Sequence, residues 1–81
     1  MYGVEIYHEG GSVALSSSEP YEAREIIDDL EEEFAEELGN AFSQCPNGLE
    51  GALTALIVTM SVLDSGRVSM THNGYKICMT R

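Results

Sequence analysis

Basic residues are scarce in this sequence, and their scarcity limits what the protein can bind. The 81 residues include four Lys and Arg against 14 Asp and Glu, for a formal net charge of −10. Nucleic acids and anionic membrane surfaces attract proteins that carry clustered cations. We therefore expect no direct contact with nucleic acid or with a membrane, and attraction to basic protein surfaces instead.

Long apolar runs and closely paired cysteines are also missing. No run approaches the roughly 20 apolar residues that a membrane-spanning helix needs. The chain also does not open with the charged and apolar segments of a secretion signal. These absences favour a cytoplasmic protein. In that compartment Cys45 and Cys78 are expected to stay reduced, and a disulfide between them is the less favoured alternative.

Motifs for metal binding and catalysis are absent as well. Cys45, Cys78, His8 and His72 could form a two-Cys, two-His set, but zinc ligands usually include a close pair such as C-x-x-C, which this chain lacks. Structural histidines at strand ends are therefore favoured over a small zinc-binding domain. Cys78 has no histidine on its face of the predicted sheet to act as a base. We expect no metal, no cofactor and no enzymatic activity.

The acidic residues are concentrated in residues 19–38, which hold ten of the 14 acids and one cation, Arg24. The apolar residues of this segment recur at helical spacing, which predicts one continuous helix. Ser18 suits its N-cap, Pro20 its first turn and Gly39 its end. Acids on and beside the face opposite to the apolar stripe are the candidate partner-binding residues: Glu25, Asp28, Asp29, Glu32, Glu33 and Glu36.

Repulsion among these acids opposes the predicted helix. Like charges recur at a spacing of four residues, and each such pair is expected to cost roughly 0.2–0.5 kcal/mol. The five pairs together cost about 1–2.5 kcal/mol, a noticeable part of a small domain's stability of about 5 kcal/mol or somewhat more. One interpretation is a solvated face that only keeps the protein soluble. The other is that the charge serves a partner.

The two ends of the chain predict β-hairpins. In the first, Glu9-Gly10-Gly11 forms a tight turn and places Ile6 opposite Val13 or Leu15. In the second, Asn73-Gly74 is a strong signal for a two-residue turn. The register that this turn sets joins apolar partners on one face of the hairpin: His72 with Tyr75, Met70 with Ile77, and Val68 with Met79.

A second helix is predicted between the acidic segment and the second hairpin. Asn47 is a suitable N-cap, Glu50 completes a capping box, and Asp64-Ser65-Gly66 ends the helix. Because few charges lie between its ends, we expect this helix to be buried on most sides. Its leucine and methionine stripe is interpreted as core rather than as a cofactor slot.

The predicted order is strand–strand–helix–helix–strand–strand. The simplest architecture for this order is a single α+β domain over residues 1–81, with two layers. A four-stranded antiparallel sheet made of two hairpins is covered on one face by two helices. The order of the strands in the sheet is not determined by the sequence pattern.

The leading functional hypothesis is a small inhibitor or decoy whose acidic helix mimics a phosphate backbone. Residues 19–38 would form about 30 Å of helix with about one carboxylate per 3 Å, close to the charge spacing of nucleic acids, about 1.7 Å for a duplex and 3.4 Å for one strand. The expected partner is the basic surface of a nucleic-acid-binding protein or nuclease complex. Such binding should be fast and sensitive to salt.

Small size, strong acidity and an α+β pattern without a catalytic set resemble the phage-encoded inhibitors of host defence. That class includes anti-CRISPR proteins, antirestriction proteins and the inhibitor of uracil-DNA glycosylase. The resemblance is at the level of the class and implies a nucleic-acid-binding target in the cytoplasm of the host cell. No family motif is matched, so no functional residue is assigned from it.

The alternative hypothesis is a non-enzymatic assembly or adaptor protein. It would form a homodimer, or dock a partner, through a free strand edge or through the exposed sheet face. The acids would then serve only solubility. The residues expected on that sheet face are Glu5, Tyr7, Ala14, Ser69, Thr71 and Cys78.

Overall fold

The structure, a computed structural model, describes residues 1–81. It confirms the α+β class, with four antiparallel strands in one open sheet and the helices packed on one face. The first predicted helix is divided in two, so three helices are present. The elements are β1 (Tyr2–His8), β2 (Gly11–Ser17), α1 (Ala23–Asp29), α2 (Glu32–Ala41), α3 (Gly48–Val62), β3 (Arg67–His72) and β4 (Tyr75–Thr80).

Both hairpins form in the predicted registers. Ile6 lies opposite Val13 in the first hairpin, one of the two expected pairings. In the second, Asn73 and Gly74 have φ of 48° and 84°, as a primed two-residue turn requires. All three predicted pairs of the second hairpin are present: His72 with Tyr75, Met70 with Ile77, and Val68 with Met79.

The strand order in the sheet is β2-β1-β4-β3. The two hairpins therefore join through β1 and β4, which pair antiparallel with Ile6 opposite Ile77. Both of these residues are fully buried. Strands β2 and β3 are left as the two edges of the sheet.

The acidic segment bends at Leu30 and Glu31. Both residues are extended, with ψ of 152° and 139°, so α1 ends at Asp29 and α2 begins at Glu32. The prediction of one straight helix over residues 19–38 is therefore wrong. At about 1.5 Å per residue, the segment forms helices of about 10 Å and 15 Å in place of one of about 30 Å.

The ends of the acidic segment also differ from the prediction. Helix α1 begins at Ala23 with Glu22 as its N-cap, and the Glu22 amide donates to Glu25 Oε1 at 3.1 Å. Ser18 and Pro20 precede the helix and neither caps nor opens it. At the other end α2 runs through Gly39 to Ala41, because its helical hydrogen bonds continue until the Phe42 amide donates to the Leu38 carbonyl at 3.1 Å.

Helix α3 has Asn47 as its N-cap, as predicted, although Asn47 is left-handed with φ of 61° and its side chain makes no capping bond. The inward stripe of α3 is buried, but its outer side is not: Val58, Val62 and Leu63 are 53%, 75% and 66% exposed. The expectation that α3 is buried on most sides is therefore wrong, because the acidic helices lie beside α3 and do not cover it.

One core lies between the sheet and the helices. The largest fully buried side chain of this core is Phe42, which comes just after α2. The centroid of its ring lies 5.2 Å from that of the His72 ring. No polar or charged side chain is buried. The core members are Val4, Ile6, Ala23, Ile26, Leu30, Leu38, Phe42, Leu49, Ala52, Leu53, Leu56, Met60, Ile77 and Met79.

Candidate functional site

The six predicted partner-binding residues lie on two consecutive helices that meet at the bend. Their side chains project away from the core because Ile26, Leu30 and Leu38 occupy the inward positions. Helix α1 carries half of the six acids and α2 the other half. All six are exposed: Glu25, Asp28, Asp29, Glu32, Glu33 and Glu36.

One cation lies within this acidic surface. The Arg24 guanidinium contacts the Asp28 carboxylate at 3.4 Å, and both side chains are mostly exposed. An exposed ion pair of this kind contributes about 0–1 kcal/mol and leaves the carboxylate accessible. The other ion pair of the protein joins Arg81 and Asp64 at 2.6 Å, outside the acidic helices. The acidic surface therefore keeps most of its negative field.

The bend at Leu30 reduces the repulsion within the acidic segment. Of the five like-charge pairs spaced by four residues, the pairs Asp28–Glu32 and Asp29–Glu33 span the bend and no longer share a helix. Separating them removes about 0.4–1 kcal/mol of helix destabilisation. Three pairs remain within a helix: Glu25–Asp29, Glu32–Glu36 and Glu33–Glu37.

The bend also gives the acids a second helix N-terminus. Glu32 and Glu33 fall in the first turn of α2, where the positive end of the helix dipole stabilises negative charge by roughly 0.3–1 kcal/mol per residue. In a continuous helix the same two acids would lie in its middle, without that benefit. The charges are thus held on a bent surface, and their spacing is less regular than a straight helix would give.

Tyr21 marks the edge of the acidic surface next to α1. Burial raises the pKa of its phenol above 10.0, and the charges of Asp29 and Glu25 raise it further. Tyr21 is therefore neutral at pH 7 and remains so up to at least pH 10.0. It lies between the carboxylates and a cleft of about 110 Å³ that Tyr2, Ile57 and Arg81 help to line. This volume is below the roughly 300–1,000 Å³ of typical small-molecule sites.

The open face of the sheet carries the residues that the alternation predicted. Tyr7 is 41% exposed and donates a 2.6 Å hydrogen bond to Glu5 Oε2. That bond raises the pKa of Tyr7 above 10.0, since ionising the phenol would break it. In register, Tyr7 lies opposite Lys76 and Glu5 opposite Cys78. This face is polar and mixed in charge, unlike the surface of α1 and α2, where Arg24 is the one cation among the acids.

The two histidines lie in separate aromatic clusters. His8 packs against Phe34 and Tyr75 at ring distances of 5.1 and 5.9 Å, and its Nδ1 accepts from the Gly10 amide at 3.2 Å. His72 packs on Phe42. Both therefore have structural contacts at strand ends, as the sequence predicted. The structure contains no group of three or more His, Cys, Asp or Glu side chains that could hold a metal ion.

The two cysteines are free and half-buried. Cys45 lies in the loop before α3, and Cys78 lies on the open face of β4. None of the three helices combines the length and the hydrophobicity that crossing a bilayer requires.

Comparison with known proteins gives no relative: no family model, no curated protein and no solved structure matches this chain.

Proposed function

We propose that the protein is a non-enzymatic inhibitor or decoy that occupies the basic groove of a nucleic-acid-binding protein or nuclease complex. The observation that carries this proposal is the exposure of all six candidate carboxylates on α1 and α2, with Arg24 as the one cation among them. Arg and Lys side chains that hold phosphates bind carboxylates by the same charge-assisted hydrogen bonds. The resemblance to anti-CRISPR and antirestriction inhibitors implies a target of this kind, a protein that binds nucleic acid.

The bend changes how such a decoy would bind. A straight helix would present its carboxylates along one line, as a single strand presents its phosphates. Helices α1 and α2 instead divide the six candidate carboxylates into two groups of three, separated by the bend. This arrangement suits a basic surface with two groups of cations better than one with a single straight row.

The test compares wild-type protein with a variant neutralised on the two helices, Asp28→Asn, Glu32→Gln and Glu36→Gln. Each is used as bait in a bacterial lysate at about 50 mM and again at about 500 mM salt, since screening weakens exposed charge contacts. The matched control, Glu9→Gln, Glu19→Gln and Glu50→Gln, removes the same charge from exposed acids that lie outside α1 and α2.

We expect wild type and the control to retain a nucleic-acid-binding protein at low salt, to release it at high salt, and the helix variant to retain far less. A partner held equally by all three baits would contradict the decoy proposal.

A second candidate function is docking of a partner on the open sheet face. The observation that favours it is the exposed Tyr7, held by Glu5 beside a shallow hollow that Lys76 and Cys78 help to line. Aromatic residues fixed in position are typical anchors of protein interfaces. Tyr7→Glu or Thr71→Arg should abolish such docking and leave capture by the acidic helices unchanged.

A further inference from the structure

Strand β3 has a free edge. It is the last strand in the order β2-β1-β4-β3 and pairs with β4 along one side only. An unpaired edge presents main-chain N–H and C=O groups that can accept another strand. Natural proteins usually protect such edges with charged side chains, proline or bulges. In β3 the one charged residue is Arg67, and proline is absent.

The direction of the main-chain groups along this edge follows from the hairpin geometry. In a hairpin with a two-residue turn, the residues that flank the turn, here His72 and Tyr75, are joined by main-chain hydrogen bonds. At the other end of the hairpin, the Arg81 amide donates to the Gly66 carbonyl at 3.1 Å. Bonded pairs alternate along an antiparallel ladder. Three residues of β3 therefore turn their N–H and C=O away from β4: Arg67, Ser69 and Thr71.

One of these three residues is already satisfied within the chain. Ser65 Oγ donates to the Arg67 carbonyl at 2.8 Å and accepts from the Arg67 amide at 3.2 Å. This double contact agrees with the outward direction of the Arg67 N–H and C=O. It leaves neither group free to bond an incoming strand. The groups of Ser69 and Thr71 remain available for an incoming strand.

An apolar flank of α3 stands beside this edge. No charged side chain lies on α3 between Glu50 and Asp64. The flank that faces β3 borders an open groove, whose lining includes Cys45, Ala52, Ala55, Thr59 and Met70. The exposed Val62 continues the apolar surface toward the end of the helix.

The carboxylates of α1 lie on the opposite side of α3. There Glu50, Thr54 and Ile57 line a groove with Tyr21 and the first turn of α1. Helix α2 lies toward the hairpin turns, where Phe34 packs against His8 and Tyr75. Strand β3 and the near flank of α3 therefore carry no acid of their own, and Asp64, which lies between the two elements, is paired with Arg81 at 2.6 Å.

We propose that β3 pairs antiparallel with β3 of a second copy of this chain, joining two four-stranded sheets into one of eight strands. Charge favours a second copy as the occupant: two chains of −10 can approach closely only on a side with few acids, and the one charged residue of β3 is the cation Arg67, which does not attract a basic partner. A two-fold axis also matches donors with acceptors and one apolar flank of α3 with the other.

The available groups define the register of this pairing. Because Ser65 already bonds the main-chain groups of Arg67, the largest set of new bonds forms when Ser69 of each copy lies opposite Thr71 of the other. Each of these two pairs exchanges two main-chain hydrogen bonds, which gives four in total. The two-fold axis then passes beside Met70, so that Met70 faces its own copy on the helix-covered side. Arg67 lies opposite Asn73, and no like charges meet.

The strand pairing and the helix flank are both needed. A stable interface buries about 800 Å² on each partner, more than a strand of six residues offers. Ala55 and Thr59 are small enough to let the two α3 helices approach above the joined sheet. This dimer uses none of the six candidate carboxylates of α1 and α2, so its formation is independent of the proposed decoy function.

Sedimentation equilibrium from micromolar to millimolar protein tests the proposal. Ser69→Pro removes an outward-facing amide without removing a bond to β4, which edge strands tolerate. Ala14→Pro is the matched control, because the pairing of β1 with β4 makes Ala14 face outward on the other edge, β2. Circular dichroism and a thermal melt of each variant establish that it is folded.

We expect wild type and Ala14→Pro to dimerise, and Ser69→Pro to associate at least about tenfold more weakly. A wild-type protein that stays monomeric at millimolar concentration would overturn the proposal, as would a folded Ser69→Pro variant that dimerises as tightly as wild type.

Disulfide trapping tests the register and does not depend on proline variants. In a Cys45→Ala, Cys78→Ala background, Met70→Cys places two sulfurs across a non-bonded pair with Cα atoms about 4.5 Å apart, within disulfide range. Ser69→Cys leaves its Cα atoms about 8 Å apart, too far to bridge. The proposal is supported if Met70→Cys forms a covalent dimer and Ser69→Cys does not. It is overturned if only Ser69→Cys forms a covalent dimer, or if no covalent dimer forms with either variant.

Discussion

Leu30 shows how one residue reshapes the surface around it. It is 8% exposed and has an extended backbone with ψ of 152°, although leucine is a good helix former. The sequence gives no glycine or proline at the bend. The feature of the sequence that favours a bend is electrostatic: two of the five repulsive pairs span Leu30, and an interruption of the helix there relieves both. Local propensity favours a continuous helix, and repulsion together with the burial of Leu30 outweighs it.

At the same scale, Tyr7 should titrate unusually late. Its pKa is raised above 10.0 by the hydrogen bond to Glu5, so the folded state favours the neutral phenol. The stabilisation is complete below about pH 10 and is lost as the pH rises through the folded-state pKa. In an ultraviolet titration of tyrosinate, Tyr7→Phe should remove one ionisation step that lies above pH 10.0 in the wild type. Glu5→Gln should keep that step and move it toward pH 10.0.

Tyr21, whose pKa is also raised, stays in both variants and serves as the internal reference. If the step lost in Tyr7→Phe lies near pH 10.0 and Glu5→Gln leaves the titration curve unchanged, the Tyr7–Glu5 bond does not form in solution.

At the scale of elements, hairpins were easier to predict than helices. The turn residues Asn73-Gly74 determine the register of β3 and β4 through local geometry, and alternation determines which side chains share a face. The extent of α2 depends on contacts distant in sequence: it continues past Gly39, and Phe42 just beyond it packs on His72. Composition and helical spacing identify the acidic residues, but their arrangement on two helices depends on the three-dimensional packing.

Helix α2 carries no cation in its last turn, which leaves a simple route to a more stable helix. Asn40→Lys places a cation near the C-terminus, four residues after Glu36. We expect a gain of about 0.5–1.5 kcal/mol from the ion pair and the helix dipole. Asn40→Glu at the same position should destabilise by a similar amount. Urea unfolding measures both, and the difference between the variants should shrink at high salt.

Equal stabilities of the two Asn40 variants at low salt would mean that charge does not determine the stability of α2.

At the scale of the whole molecule, charge and topology are arranged together. Half of the 14 acids lie on α1 and α2, whereas β3 and the near flank of α3 carry none. Strand order determines this separation, because it places β3 at an edge and joins the hairpins through β1 and β4. The sequence could not predict that order, since the pairing of β1 with β4 joins residues more than 70 positions apart, such as Gly3 and Thr80.

The concentration of acids should make the fold sensitive to ionic strength. The longest dimension of the molecule is 30 Å, comparable with the screening length of about 30 Å at 0.01 M salt and far above the roughly 8 Å at 0.15 M. We expect the melting temperature to rise with NaCl at fixed protein concentration, because screening reduces the mutual repulsion of the acids. The variant neutralised at Asp28, Glu32 and Glu36 should respond less.

A melting temperature that is constant in NaCl, or that falls equally in both proteins, would show that the acids are too well solvated to strain the fold.

The central claim is that α1 and α2 take the place of a nucleic acid on a basic protein, and competition tests it most directly. Wild-type protein is immobilised, loaded with a nuclease-treated bacterial lysate at low salt, and washed with a short DNA duplex or with mononucleotides at equal phosphate concentration. The account predicts that the duplex releases the retained protein and that the mononucleotides do not. A partner that stays bound in excess duplex would contradict it, because its basic groove could not then be the surface that this protein occupies.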